Sequence, residues 1–105
     1  MTLITHGVTI VYVAIRTFKC ADTEALFHLR RVARFANIER LALRKLKQLD
    51  LARRIEDLCA PPANRLEQLK GNRAGQWSLR VNEQFRICFR WTGSDAEEIE
   101  IVDYH

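Results

Sequence analysis

The sequence predicts an α+β fold in which helices pack on one face of an antiparallel sheet, and three observations carry that expectation. From Asn37 to Leu58 apolar residues recur at steps of three and four, the spacing of an amphipathic helix. From Trp77 to Trp91 the step falls to two, the spacing of half-buried strands, and it does so again in EEIEIVDY near the end. Pro61 and Pro62 stand between the two regimes. Neither can continue a helical hydrogen-bond ladder, so they close the helical half.

The opening MTLITHGVTIVYVAI holds a run of eight from Val8 to Ile15, rich in Val, Thr, Ile and Tyr, and is expected to form an N-terminal strand. The run is too short to cross a bilayer and has no basic segment before it, so neither a membrane anchor nor a signal peptide is expected. Asp22 or Thr23 can cap a short helix through Leu26 and Phe27, with Glu24 favourable in its first turn. A longer helix follows, burying Ile38, Leu41, Ala42, Leu46, Leu49, Ala52, Ile55 and Leu58. Its outer face carries Arg40, Arg44, Lys45, Lys47, Arg53 and Arg54, either as a solvated surface or as a contact to ribosomal RNA. In the second half, WSLRV and FRICFRW alternate as two strands, and EEIEIVDY supplies a third with Ile99 and Ile101 inward, after a turn at Thr92 to Asp95.

With 105 residues the chain is expected to be one domain with one site. Its net charge of +4 is unevenly spread. Residues 16 to 54 carry eleven Lys and Arg against four Asp and Glu, residues 65 to 90 carry six against two, and residues 91 to 105 carry five acidic side chains and no Lys or Arg. A basic surface beside an acidic tail favours a polyanionic partner, because neutralised phosphates release counterions. Cys20, Cys59 and Cys88 are widely spaced, without a CxxC pair or zinc-ligand spacing. They are expected as reduced, buried thiols of a cytoplasmic protein, with no metal site.

Strand parity makes the sharpest prediction. If odd positions from Trp77 to Trp91 face the core, Arg80, Arg86 and Arg90 share the other face. A three-residue turn at Asn82, Glu83 and Gln84 then pairs Val81 with Phe85 and sets Arg80 directly opposite Arg86. Like charges so placed destabilise a sheet unless an anion compensates them. An RNA phosphate is one such anion, and Glu83, Glu98 or Glu100 is the ordinary alternative. Upstream, LKGNRAGQW is a basic loop with Lys70 and Arg73 that lacks the order of a nucleotide-binding P-loop. It is read either as a simple connection or as a phosphate contact. The chain closes on Asp103, Tyr104 and His105, an imidazole able to move protons near neutrality although terminal residues commonly fray. His6 and His28 have no ligand spacing and are read as surface groups.

Taken together, LKGNRAGQWSLRVNEQFRICFRW and EIEIVDYH, with NRLEQL, ALRKLKQLD and IRTFKCADTEALF upstream, resemble the HigB/GraT branch of the RelE superfamily, toxins of type II toxin-antitoxin systems also called plasmid maintenance killer proteins. The resemblance covers residues 15 to 105, leaving 1 to 14 as an N-terminal extension that can add to the first strand. It implies a RelE-like fold and a cytoplasmic, metal-independent endoribonuclease without cofactors, cutting messenger RNA in the ribosomal A site and inhibiting translation. The implied partners are a helix-turn-helix antitoxin, through which alone operator DNA is bound, and the ribosome with its mRNA; no membrane is involved. Matched by motif, Lys70, Arg80 and Arg86 fall on basic phosphate-binding positions and Asp103, Tyr104 and His105 on the C-terminal catalytic segment; Arg86 and Arg80 are counted with the catalytic set, and Arg73 and Arg90 join Lys70 as RNA phosphate contacts. In that chemistry the 2′-hydroxyl attacks phosphorus, Arg86 and Arg80 stabilise the developing charge, Lys70 orients the phosphate and His105 transfers a proton, while Tyr104 stacks on a base or assists and Asp103 orients a neighbour. Glu67 stands where some relatives carry histidine, Asn82 where some carry arginine, and Phe85 where tryptophan is commoner. The competing readings are a toxin that occupies RNA or ribosome without cutting, and a module whose role is the autoregulatory complex with the antitoxin.

Overall fold

The computed structural model describes the backbone of residues 2–4 and 9–11, and residues 13–104 with their side chains. Two short strands, β1 (Thr2–Ile4) and β2 (Thr9–Val11), pair antiparallel as a separate hairpin, with Thr2 opposite Val11. The N-terminal strand is therefore two strands among the described residues, and Val8 and Tyr12 of the expected run lie outside them. The chain then runs beside the last strand of the main sheet, where Ile15 bridges Ala96 and Phe18 bridges Ile99 in parallel sense. The amide of Arg16 donates to the Ala96 carbonyl at 2.8 Å and that of Lys19 to the Ile99 carbonyl at 2.9 Å.

Helix α1 spans Ala21–Phe27. Cys20 occupies its N-cap without a side-chain bond, so neither Asp22 nor Thr23 caps it. Thr23 is fully buried, and its hydroxyl oxygen accepts the amide of Ile101 at 2.9 Å, which ties α1 to the sheet. Helix α2 covers Glu39–Leu51 and buries Ala42, Leu46 and Leu49. It stops sooner than the apolar spacing suggests, because Ala52 turns extended. The Asp57 carboxylate then collects the amides of Arg53 and Arg54 at 2.9 and 3.1 Å, starting a separate 3-10 turn, Ile55–Cys59, that still buries Leu58. Lys45 is not on the outer face either. It is buried, and its ammonium donates to the Asn64 side chain.

The main sheet has four antiparallel strands in the order β3 (Glu67–Gln68), β4 (Trp77–Arg80), β5 (Phe85–Trp91) and β6 (Ala96–Asp103). Leu79, Ile87, Phe89, Ile99 and Ile101 close on Phe35, Leu46, Leu49 and Leu58 in one apolar core. Odd positions of β4 and β5 thus face inward as parity requires. One irregularity lies opposite Phe89: between the pairs Cys88–Glu100 and Arg90–Glu97 the register slips by one, and Glu98 takes a positive φ of 52°. The bulge keeps Ile99 and Ile101 buried while turning the acidic end of β6 outward. Strand β3 and its pairing to β4 were not foreseen, since two residues are too few to show alternation. No helix among the described residues is long and apolar enough to cross a membrane.

Candidate active site

The β4–β5 hairpin builds the site. Val81 donates its amide to the Phe85 carbonyl at 2.9 Å, and the Asn82 side-chain oxygen accepts the amides of Gln84 and Phe85 at 2.8 and 2.7 Å. Asn82 is thus spent on closing a three-residue turn, as asparagine commonly is. The turn fixes the register, and Arg80 sits directly opposite Arg86.

Arg86 is buried and held on several sides. Its Nη1 donates to Glu67 Oε1 and to Ser78 Oγ, each at 2.9 Å, and Nη2 reaches the Arg65 carbonyl at 3.3 Å. Arg65 takes a φ of 44° there, in the left-handed region. The Tyr104 ring lies over the guanidinium, 5.2 Å from ring centroid to Cζ. Arg80 is half-buried and Lys70 exposed, and neither has a carboxylate partner among the described residues. Glu67, with its side chain 55% exposed, puts a carboxylate at the solvent rim of this cluster.

The other described sequence candidates lie away from Arg86. Arg73 donates to Glu100 at 3.0 Å and to the Gln76 side chain at 2.9 Å, and the Glu100 bond raises its already high pKa. Arg90 has the expected parity but sits four residues beyond Arg86, roughly 13 Å along the strand. It is paired with Glu98 at 3.2 Å across the bulge. Arg80, Arg86 and Arg90 thus have the expected parity, but Arg86 and Arg90 are each paired with a carboxylate, Glu67 and Glu98, and only Arg80 has none among the described residues. Two of the three carboxylates named as ordinary partners, Glu98 and Glu100, do pair, though with Arg90 and Arg73 and not with the central two arginines. Asp103 accepts from the Gln84 side-chain nitrogen at 3.0 Å, tying the end of β6 to the turn beneath Tyr104. His105 and His6 lie outside the described residues, and His28 is exposed.

Glu67 and Ser78 are the contributors that site reasoning from sequence missed. Ser78 was legible, because it stands two residues before Arg80 and so on the same face. Glu67 lies in the two-residue β3, where no pattern signals which way a side chain points. Of the three cysteines only Cys88 is buried, and burial pushes its thiol pKa up; Cys59 is exposed and Cys20 intermediate. No group of three His, Cys, Asp or Glu among the described residues is arranged to hold a metal ion. A cavity of about 450 Å³ beside Val13, Arg16, Ala52 and Asp95 contains none of the candidate residues.

The sequence pattern described as "RelE-like toxin of type II toxin-antitoxin system HigB" matches residues 27–105. The chain is 48% identical over 61 residues to Toxin HigB-1 of Vibrio cholerae, covering 58% of this chain and 64% of that protein. It is 36% identical over 61 residues to Endoribonuclease HigB of Proteus vulgaris, covering 58% and 65%, and 31% identical over 64 residues to an uncharacterized protein of Haemophilus influenzae, covering 61% and 63%. The chain matches less than two thirds of the length of each of these relatives.

Proposed function

This chain belongs to the HigB-like family of RelE-like toxins of type II toxin-antitoxin systems, and from that premise we propose that it is a metal-independent endoribonuclease that cuts messenger RNA, on the ribosome, and is held in check by a partner antitoxin. The toxin domain on this reading is residues 15 to 105, with 1 to 14 as an extension, and it acts in the cytoplasm. The antitoxin carries a helix-turn-helix, through which the complex reaches operator DNA.

One observation carries the reading: two guanidiniums directly opposed across β4 and β5, one of them under an aromatic ring. Cleavage of RNA by its own 2′-hydroxyl needs a proton acceptor, a proton donor and cations where charge grows on the phosphorane. Arg80 and Arg86 supply the cations, already oriented by the sheet, which is how preorganised charge lowers a barrier. Lys70 positions the scissile phosphate from the loop before β4. Tyr104 offers a ring on which an unpaired base can stack. Glu67, 2.9 Å from Arg86 and open to solvent, is placed to accept the 2′-hydroxyl proton. His105 is the proton donor implied by the family resemblance, and Asp103 anchors the segment that bears it. Arg73 and Arg90, neutralised in the protein, serve the RNA path only secondarily.

The test is to map RNA 5′ ends after induction of the wild type and of Arg86→Ala. New ends and growth arrest are expected for the wild type, with cleavage down by about 10² to 10³ in the variant. A fully active Arg86→Ala overturns the assignment. A second reading, a toxin that binds RNA or ribosome without cutting, is favoured by the commitment of Arg86 Nη1 to Glu67 and Ser78. Arrest without new 5′ ends would establish it.

A further inference from the structure

Outside the hairpin site, the turn after α1 presents a leucine where the backbone favours glycine. Leu29 donates its amide to the Leu26 carbonyl and Arg30 donates to the Ala25 carbonyl, both at 2.9 Å, a helix ending whose middle residue must be left-handed. Leu29 accordingly has a φ of 65°, a conformation costly for a side chain with a Cβ. Its side chain gains no burial in return, being 79% exposed.

Leu29 stands in a groove of about 500 Å³ between α1 and α2, whose floor is Phe27 and Leu43 and whose rim is Arg40, Arg44 and Lys47. Leu29 and Leu43 also line an adjoining depression of about 210 Å³, rimmed by Arg30, Arg31 and Glu39. On the sheet face Arg73, Arg86 and Arg90 each pair with a protein carboxylate. Here none of the five cations has one within 4 Å among the described residues. Phosphates alone would satisfy the rim but leave the leucines without a partner.

We propose that this groove docks an acidic amphipathic segment of a partner protein, its aliphatic side chains seated against Leu29 and Leu43 and its carboxylates against the surrounding arginines. The arrangement matches helix-in-groove recognition, with charge complementarity fixing orientation. The site is separate from the cluster around Arg86, so the inference stands or falls apart from the ribonuclease reading.

The probe is a synthetic helical 14-residue peptide with leucines on one face and Asp and Glu on the other, titrated into the full chain and followed by amide NMR. A peptide with Gln in place of the acids and an oligouridylate are run beside it. Shifts are expected to concentrate at Leu26 to Arg31 and Leu43 to Lys47, with at least tenfold weaker binding for the Gln peptide. Leu29→Gly places glycine at a positive φ, so it is expected to melt no lower than wild type while weakening the acidic peptide at least tenfold. Arg40→Glu with Arg44→Glu should weaken it further. Undiminished binding to Leu29→Gly, shifts elsewhere, or no binding overturns the proposal. So does oligouridylate occupying the same groove with no loss in Leu29→Gly, which would make the groove an RNA surface.

Discussion

Asn64 shows how much one polar side chain holds in place near the site. It is fully buried, its nitrogen donates to Gln48 Oε1 and to the Leu58 and Ala60 carbonyls, each at 3.1 Å, and its oxygen accepts the Lys45 ammonium. Burial, with Arg44 nearby, lowers the Lys45 pKa, so the ammonium depends on that acceptor. Asn64→Ala leaves several buried groups unpaired at once and is expected to cost about 2 to 4 kcal/mol, read from urea midpoints. Because Arg65 follows directly and offers its carbonyl to Arg86, the same variant should also slow cleavage. Glu67 poses a different question, whether its carboxylate moves a proton or only neutralises Arg86. Glu67→Gln keeps a hydrogen-bonding side chain and removes the charge. A proton acceptor predicts kcat lower by about 10² to 10⁴ with stability unchanged. If it only neutralises Arg86, the expected result is a lower KM at full kcat, since the phosphate would then meet an unopposed guanidinium. Steady-state cleavage of a short RNA separates the two.

The end of α2 illustrates an effect that acts on a whole element. Its apolar spacing runs on to Leu58, yet the helix stops at Leu51, where the Asp57 carboxylate takes the Arg53 and Arg54 amides that a continued helix would give to the Leu49 and Asp50 carbonyls. Those two amide bonds hold the Asp57 carboxyl below its ordinary value of 3.8. The folded pKa lies below the unfolded one, so the stabilisation is present above about pH 4 and is lost as pH falls through the lowered value. Asp57→Ala is expected to shift the urea midpoint down at pH 7, with the gap to wild type closing in strong acid; a pH-independent gap would show the carboxylate is not the cause. Elements with a long regular period were legible in the sequence. The β4–β5 hairpin, its register and the Arg80–Arg86 pair follow from alternation and turn length alone, and α2 was right at its start and in the burial of Ala42, Leu46 and Leu49, though not in its end. The split of the N-terminal run into a hairpin, the two-residue β3, the bulge at Glu98 and the burial of Lys45 were not legible. Each depends on a partner that local periodicity does not show: a second strand, the edge of β4, the need to bury Ile99, the Asn64 oxygen. The site divided along the same line, since Arg80, Arg86 and Ser78 are fixed by parity whereas Glu67, Arg65 and the fates of Arg73 and Arg90 depend on which carboxylates the loops bring up.

Across the molecule the +4 net charge separates into cations already answered and cations still open. On the sheet face Glu67, Glu98 and Glu100 offset Arg86, Arg90 and Arg73, leaving Lys70 and Arg80 without a carboxylate among the described residues. That division predicts the salt dependence of RNA binding more closely than net charge does, because only cations that replace counterions on phosphates contribute to it. Three phosphate contacts, from Lys70, Arg80 and Arg86, give a slope of log K against log salt of about −2 on single-stranded RNA, at roughly 0.7 per contact. Arg80→Ala should flatten that slope to about −1.4, whereas Arg90→Ala, which deletes a cation already held by Glu98, should leave it unchanged. If Arg90→Ala flattens the slope as much as Arg80→Ala, the Glu98 pair opens on binding and the RNA runs the length of the sheet face. An unchanged slope in Arg90→Ala confines the phosphate track to the hairpin end, under Tyr104.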